Sequence, residues 1–75
     1  MQLLKIKDVI SLTTISKSQI FALRNKGLFP QSISLGANSI AWYEQEVKEY
    51  TELLGKGVSQ KDAAKQVSAW REVQA

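Results

Sequence analysis

The chain has 75 residues, of which 44% are hydrophobic, and a formal net charge of +3 at pH 7, so one small domain is expected. It contains neither cysteine nor histidine, which excludes disulfide scaffolds, thiolate zinc sites and cysteine nucleophiles and removes the commonest general base and metal ligand. No apolar run approaches the roughly 20 residues that span a bilayer, and the apolar start is too short for a signal peptide. We therefore expect a soluble cytoplasmic protein without a cofactor, metal, small-molecule ligand, membrane partner or enzymatic activity.

The charges are distributed unevenly along the chain. Residues 1–27 carry five basic side chains against one acidic, residues 28–42 carry no charge, and residues 43–54 carry four glutamates against one lysine. A basic N-terminal third beside an acidic segment suggests a polyanionic partner for one face only. A solvated surface of mixed charge would give the same distribution.

The first third of the chain predicts two short helices. Ile6, Val9 and Ile10 are spaced three and four residues apart, which predicts a helix from about Ile6 to Leu12, with the preceding leucines covering its start. Only residues 13–15 separate it from the next helical pattern, so the pair is interpreted as a helix-turn-helix.

The second helix has strong start and stop signals. Ser16 and Gln19 form a capping box, and Ile15 and Ile20 can form a hydrophobic staple across the start of the helix. At the other end, Gly27 is placed for a left-handed residue, and a contact between Leu28 and Leu23 would complete a Schellman ending before Pro30 bars continuation.

The outward face of this second helix is typical of a helix that reads DNA. Ile20, Leu23 and Gly27 point inward at about 100° per residue. The remaining positions form an outward face and two flanks: Ser18, Phe21, Ala22 and Asn25, with Lys17 and Arg24 on one side and Gln19 and Lys26 on the other. Short side chains allow close approach to a major groove, Ser and Asn read base edges, and Lys and Arg meet phosphates. The alternative is an ordinary amphipathic helix. Phe21 would then expose an apolar ring to solvent or would pack beneath the first helix.

After the second helix the period becomes alternating. Ile33 and Leu35 share one face, as do Ile40 and Trp42, and residues 36–38 supply turn chemistry between them. This pattern predicts a short β-hairpin. A hairpin that follows a helix-turn-helix can be a wing that contacts DNA. The alternative is a purely structural hairpin, and the lack of charged residues in the hairpin favours this alternative.

A third helix is predicted from about Gln45 to Leu54. Val47, Tyr50 and Leu54 form its inward stripe, and its glutamates are expected on a solvated outer surface that points away from DNA. Glutamates can bind metal or act as acids and bases, but here they follow helical spacing without any histidine.

The remaining residues, 55–75, predict one more helix. Gly55 and Gly57 end the third helix, and a capping box of Ser59 and Asp62 opens a helix that extends to about Glu72. One stripe of it is apolar and its other positions include three cations: Ala63, Val67 and Trp70, with Lys61, Lys65 and Arg71. Three roles stay open, namely Trp70 completing the core, self-association through residues 59–73, and extra DNA contacts by the lysines.

Four segments together resemble the AlpA family of small prophage regulators, which are winged-helix proteins related to excisionases and to the DNA-binding domain of MerR regulators. They are LLKIKDVISLT, ISKSQIFALRNKGLFP, SLG and IAWYEQEVKEY, colinear without a gap over about residues 3–54. The resemblance implies an α+β, mostly α, winged helix-turn-helix in residues 1–54, with a helical extension in residues 55–75. It implies a sequence-specific double-stranded DNA-binding protein of a mobile element, acting in the bacterial nucleoid as a transcriptional regulator, an excisionase or both, with integrase and RNA polymerase as candidate partners.

Carried over by position, the resemblance makes residues 16–26 the recognition helix. The residues assigned to DNA binding are Ser16, Lys17, Ser18, Gln19, Phe21, Ala22, Arg24, Asn25, Lys26, Asn38 and Ser39. The chain departs from the family pattern at several of these and neighbouring positions. Thr14 replaces a usual turn glycine, which predicts a different turn shape. The wing lacks its usual arginines and Ala22 replaces another, so we expect weak binding by a monomer and recovery of affinity by several copies on one DNA. The alternative is a protein-interaction module that keeps the fold without strong DNA binding.

Overall fold

The computed structural model describes residues 2–37 and 39–74, with side chains as far as residue 69. Its elements are, in chain order, β1 (Leu3–Leu4), α1 (Ile6–Thr13), α2 (Lys17–Asn25), β2 (Ile33–Gly36), β3 (Ser39–Tyr43), α3 (Glu44–Gly55) and α4 (Gln60–Gln74). The described part contains four helices and a three-stranded antiparallel sheet of order β1-β3-β2, with α1 and α3 packed on the sheet and α4 packed on α3. The predicted α+β, mostly helical class is confirmed, and the arrangement agrees with a winged helix-turn-helix.

The short strand β1 was not predicted. Leu3 pairs with Tyr43 and Leu4 pairs with Trp42, so the two leucines extend the sheet as well as leading into α1. A strand of two residues is too short to show an alternating period, so no sequence signal distinguishes it from a helix lead.

The predicted ends of α2 are confirmed. The Ser16 hydroxyl accepts a hydrogen bond from the Gln19 backbone N–H at 3.3 Å. Gly27 has a φ of 75°, and its N–H donates to the Arg24 carbonyl at 3.1 Å while the Leu28 N–H donates to the Leu23 carbonyl at 2.8 Å. These two bonds form a Schellman motif, so local chemistry fixes the length of α2 at both ends.

The turn between α1 and α2 corrects one prediction. Thr14 has φ 60° and ψ 16°, which is the left-handed conformation that glycine favours and that β-branched residues rarely adopt. Its backbone N–H donates to the Ile10 carbonyl at 2.8 Å, closing α1. Thr14 therefore adopts the conformation that glycine would favour, so the predicted difference in turn shape is wrong. The backbone at Thr14 is strained as a result.

Replacing Thr14 with glycine is expected to stabilise the protein by about 0.5–1 kcal/mol. A left-handed β-branched residue costs roughly 1–2 kcal/mol, of which the greater flexibility of unfolded glycine cancels about 0.5–1 kcal/mol. Urea unfolding followed by circular dichroism measures the change. Thr13→Gly is the matched control: Thr13 is helical and its hydroxyl bonds the Val9 carbonyl at 2.8 Å, so this variant should lose stability. A loss of stability in Thr14→Gly as well would contradict the assignment of strain.

The hairpin of β2 and β3 contains an irregularity at Leu35. Ser34 pairs with Ile40 and Gly36 pairs with Ser39, with a register shift between Ser34 and Gly36, so Leu35 is the extra residue of a β-bulge. It is 47% exposed, although the alternating pattern grouped it with Ile33. The bulge explains the difference, because an inserted residue breaks the two-residue period.

The core lies between the sheet and the helices. It is one cluster of buried side chains drawn from most of the chain: Val9, Ile20, Phe29, Trp42, Val47, Tyr50, Ala63, Ala64 and Val67. Trp42 is fully buried, and its indole N–H donates to the Pro30 carbonyl at 2.9 Å. The Trp42 ring also meets Phe21 and Phe29 with centroids 6.2 and 6.4 Å away, so it joins the helix-turn-helix to the hairpin.

The prediction that the glutamates of α3 fill its outer surface is wrong for Glu46. This side chain is only 2% exposed. Glu46 lies one helical turn before the buried Tyr50 and so shares its face of α3. Among the described residues, no buried side-chain nitrogen or oxygen lacks a hydrogen-bond partner, so the Glu46 carboxylate is satisfied inside the protein.

The helix α4 packs against α3 and contributes to the core. Ala63 is fully buried, Val67 is 1% exposed and Ala64 is 7% exposed, so the apolar stripe that suggested self-association is largely covered within the chain. The Ser59 hydroxyl accepts from the Asp62 N–H at 3.2 Å, as the capping box predicts. The predicted core role of Trp70 lies outside the described side chains, and the division into residues 1–54 and 55–75 stays a prediction.

Tyr50 links α3 to the segment after α2 and predicts a pH dependence. Its hydroxyl donates to the Leu28 carbonyl at 2.6 Å, and burial raises the pKa of Tyr50 above the ordinary 10.0. Since the unfolded chain then releases this proton first, the free energy of unfolding should fall as pH rises through about 10 toward the folded pKa.

Tyr50→Phe should be about 1 kcal/mol less stable at pH 7, because it leaves a carbonyl unpaired, and should show a shallower fall of the free energy of unfolding above pH 9.5. Urea midpoints at pH 7, 9 and 10.5 measure both; parallel curves for the two proteins would contradict the role of Tyr50.

Candidate nucleic-acid interface

The solvent-facing side of α2 brings most of the predicted site residues together. Exposed on it and at its ends are Ser16, Lys17, Ser18, Gln19, Ala22, Asn25 and Lys26. Ile20 is fully buried and holds the opposite side of the helix on the core. A nine-residue helix is about 13 Å long, and a major groove about 12 Å wide admits one helix. Because small residues occupy the middle of the exposed face, backbone and bases could approach closely there.

Arg24 is held in place by three contacts at the end of α2. Its Nη1 donates to the Ser32 hydroxyl at 3.1 Å and its Nη2 donates to the Asn25 side-chain oxygen at 3.2 Å. The guanidinium carbon lies 4.9 Å from the centre of the Phe21 ring, within the range of a cation–π interaction. Since a guanidinium has five N–H donors, most of them stay available to a phosphate, and the side chain is already ordered for that contact.

Phe21 lies partly inside the protein. Its side chain is half-buried and packs between the Arg24 guanidinium and the Trp42 ring. Phe21 therefore packs on β3. This differs from both positions that the sequence suggested, which were outward on α2 or beneath the first helix. In this position the Phe21 ring packs against the Arg24 guanidinium. These contacts explain why an aromatic residue occupies this position of α2.

Two residues outside the predicted site also hold this region. Ser32 accepts the Arg24 hydrogen bond, and the Gln31 side-chain amide donates to the Arg24 carbonyl at 3.1 Å. They lie beyond the proline turn, so no helical spacing links them to Arg24 in the sequence. Only the fold, which turns the chain back beside the end of α2, brings them together.

The hairpin tip offers only neutral groups. Ser39 is half-buried and pairs with Gly36 across the turn, while Asn38 lies outside the described residues. Residues 28–42 contain no charged side chain. Any contact of this tip with a polyanion would therefore rest on hydroxyl, amide and backbone groups.

Three of the four glutamates of α3 line two grooves on the protein surface. Glu44 and Lys48 form an ion pair at 3.7 Å, and both line a groove with Leu12 of α1. Glu49 and Glu52 line a second groove along α3 itself with Lys48 and Lys56. Neither groove has a residue of α2 in its lining.

Other kinds of site find little support in the described residues. No group of three or more histidine, cysteine, aspartate or glutamate side chains among them could hold a metal ion. None of the helices in that part of the chain has the length and apolar character needed to cross a membrane.

Comparison with known proteins identifies the family of the chain. A family model described as "Prophage CP4-57 regulatory protein (AlpA)" matches residues 2–53, which include α1, α2, the hairpin and most of α3. ORF88 of Enterobacteria phage P4, a protein of uncharacterised function, is 41% identical over 44 residues, or 59% of this chain and 50% of the phage protein. The match thus spans about half the length of that relative. No solved structure gives a significant match. The chain belongs to the AlpA family of prophage regulatory proteins.

Proposed function

We propose that this protein binds double-stranded DNA sequence-specifically, with the exposed face of α2 in the major groove. The observation that carries the proposal is the ordered Arg24 guanidinium at the end of a helix whose exposed middle is small and polar. Such a helix approaches bases closely while cations at its ends meet phosphates. Membership of a regulatory family supports the same function.

Within this site the residues divide by role. Lys17, Arg24 and Lys26 are the phosphate contacts that set the register of the helix. Ser18 and Asn25 are the residues that would hydrogen-bond base edges, and Ala22 between them would permit close approach. Phe21 acts through Arg24, which it supports, rather than by touching DNA.

The biological role we propose is regulation of transcription or of DNA excision in a mobile element. Both roles use the same DNA contacts, and both would be carried out in the bacterial nucleoid. A regulator would occlude or recruit RNA polymerase. An excisionase would bend DNA for an integrase, with the deformation energy shared over the contacts of several copies. The neutral hairpin tip limits the affinity of one copy, so we expect several copies to load on one DNA in either role.

A protein-interaction module is the second candidate, and two observations favour it. The hairpin carries no cation, and three glutamates of α3 are at least partly exposed around shallow grooves. In that case the fold would be retained while DNA affinity is lost.

A gel-shift titration on DNA that flanks the gene, with random competitor and at several salt concentrations, separates the two. If each copy neutralises about three to five phosphates, the logarithm of affinity should fall with the logarithm of salt concentration with a slope of about −3 to −5. A ladder of specific, salt-sensitive bands would support DNA binding by several copies. The absence of any shift at low salt would overturn it in favour of a protein partner.

A further inference from the structure

The helix α4 presents two lysines beside the end of the recognition helix. Lys61 and Lys65 line a shallow groove whose other wall includes Gly27, Phe29 and Gln31. Gly27 is the residue that ends α2, and the Gln31 side chain bonds the Arg24 carbonyl. The α4 basic edge, defined as Lys61 and Lys65, is therefore adjacent to the end of α2 that holds Arg24 and the exposed Lys26.

The orientation of this edge is fixed by packing. Ala63 and Val67 are buried in the core on the other side of α4, and Ala64, only 7% exposed, lies at the base of the groove between the two lysines, so the helix cannot rotate without exposing them. Lys61 and Lys65 are both exposed and lie one helical turn apart, about 6 Å along the axis. One DNA strand carries a phosphate every ~3.4 Å along its axis, so two cations at this spacing can meet the same strand.

The charge around the groove has one sign. Its described lining has two lysines and no acidic side chain, the other residues being neutral. The groove along α3 has a different composition, since Lys48 and Lys56 lie there among Glu49 and Glu52. Of these two lysine pairs, Lys61 and Lys65 are the pair suited to a polyanion.

We propose that the α4 basic edge contacts the phosphate backbone of the same DNA that α2 reads, as an additional anchor beyond the part of the chain matched by the family model. The proposal rests on the proposed DNA-binding function. It gives residues 60–69 a role in affinity, and it offsets the missing cations of the hairpin tip. Since phosphates carry no sequence information directly, this edge strengthens binding without changing sequence preference.

The test is the salt dependence of DNA affinity for the double variant Lys61→Ala and Lys65→Ala in the full chain. Loss of two phosphate contacts should reduce the magnitude of the log–log slope by about 2 and weaken binding roughly tenfold or more, equally on specific and random DNA. The matched control is Lys48→Ala with Lys56→Ala, which removes the same charge from the groove of α3 and should leave the slope unchanged. Circular dichroism shows whether each variant stays folded.

The outcomes separate the two proposals. A wild-type protein that shows no salt-dependent DNA binding would overturn the proposed function itself. A steep wild-type slope that the α4 variant retains would overturn the role of α4 alone. Equal loss of slope in the α4 variant and the α3 control would also overturn it, because net charge would then explain the effect.

Discussion

Replacing Trp42 with alanine is expected to leave the protein largely unfolded at 25 °C. Removing a large aromatic side chain from a core costs about 3–5 kcal/mol, and the Pro30 carbonyl would lose the indole N–H that it accepts at 2.9 Å, at a cost of about 1–3 kcal/mol. A domain of 75 residues has a total stability of roughly 4–11 kcal/mol. The two losses together are of the same size as that total.

Trp42→Phe is the graded control for this prediction. It keeps a ring against Phe21 and Phe29 while it removes the N–H donor and part of the volume, so a folded protein of intermediate stability is expected. Far-UV circular dichroism in a urea titration distinguishes the three proteins. A cooperative transition for Trp42→Ala within about 1 kcal/mol of wild type would show that Trp42 is not the residue that joins the helix-turn-helix to the hairpin.

Replacing Lys17 and Arg24 together with alanine is expected to weaken DNA binding by about a hundredfold or more. A hydrogen bond to a charged group contributes about 1.5–3 kcal/mol, and each factor of ten in affinity corresponds to about 1.4 kcal/mol. Both residues flank the exposed face of α2, one near each end of the helix. Loss of two phosphate contacts should also reduce the salt slope by about 2.

The single variants refine this prediction. Lys17 is exposed and Lys17→Ala should leave the melting temperature unchanged, whereas Arg24→Ala removes the contacts with Ser32, Asn25 and the Phe21 ring and should lower it slightly. Fluorescence anisotropy with a labelled duplex measures the affinities, with Lys48→Ala and Lys56→Ala as the charge-matched control. Affinity that survives both substitutions would show that α2 is not the DNA-binding helix.

Much of the helix-turn-helix could be predicted from local chemistry. Ser16 and Gly27 act on backbone groups only a few residues away, so a short stretch of sequence is sufficient to predict their capping roles. The inward position of Ile20 follows in the same way from helical spacing. These features depend on contacts between near neighbours, which one sequence is sufficient to show.

The features that were missed depend on distant parts of the chain. The burial of Glu46, the bulge at Leu35 and the anchoring of Arg24 on Ser32 all arise where separate elements meet. Helical spacing places Glu46 on the same face of α3 as Tyr50, but a glutamate is usually solvated, and only the fold shows that this one is buried. The position of the α4 lysines beside Gly27 likewise follows from how α4 packs on α3, which no spacing in the sequence reveals.

The most direct test of the central claim is an NMR titration of the ¹⁵N-labelled protein with a duplex chosen by gel shift. DNA binding through α2 predicts that the largest amide shift changes fall on Lys17, Ser18, Ala22 and Asn25, with smaller changes at the start of α4 and none along the exposed side of α3. Shift changes concentrated on residues 44–55, or no changes at any DNA concentration in low salt, would contradict DNA recognition by α2.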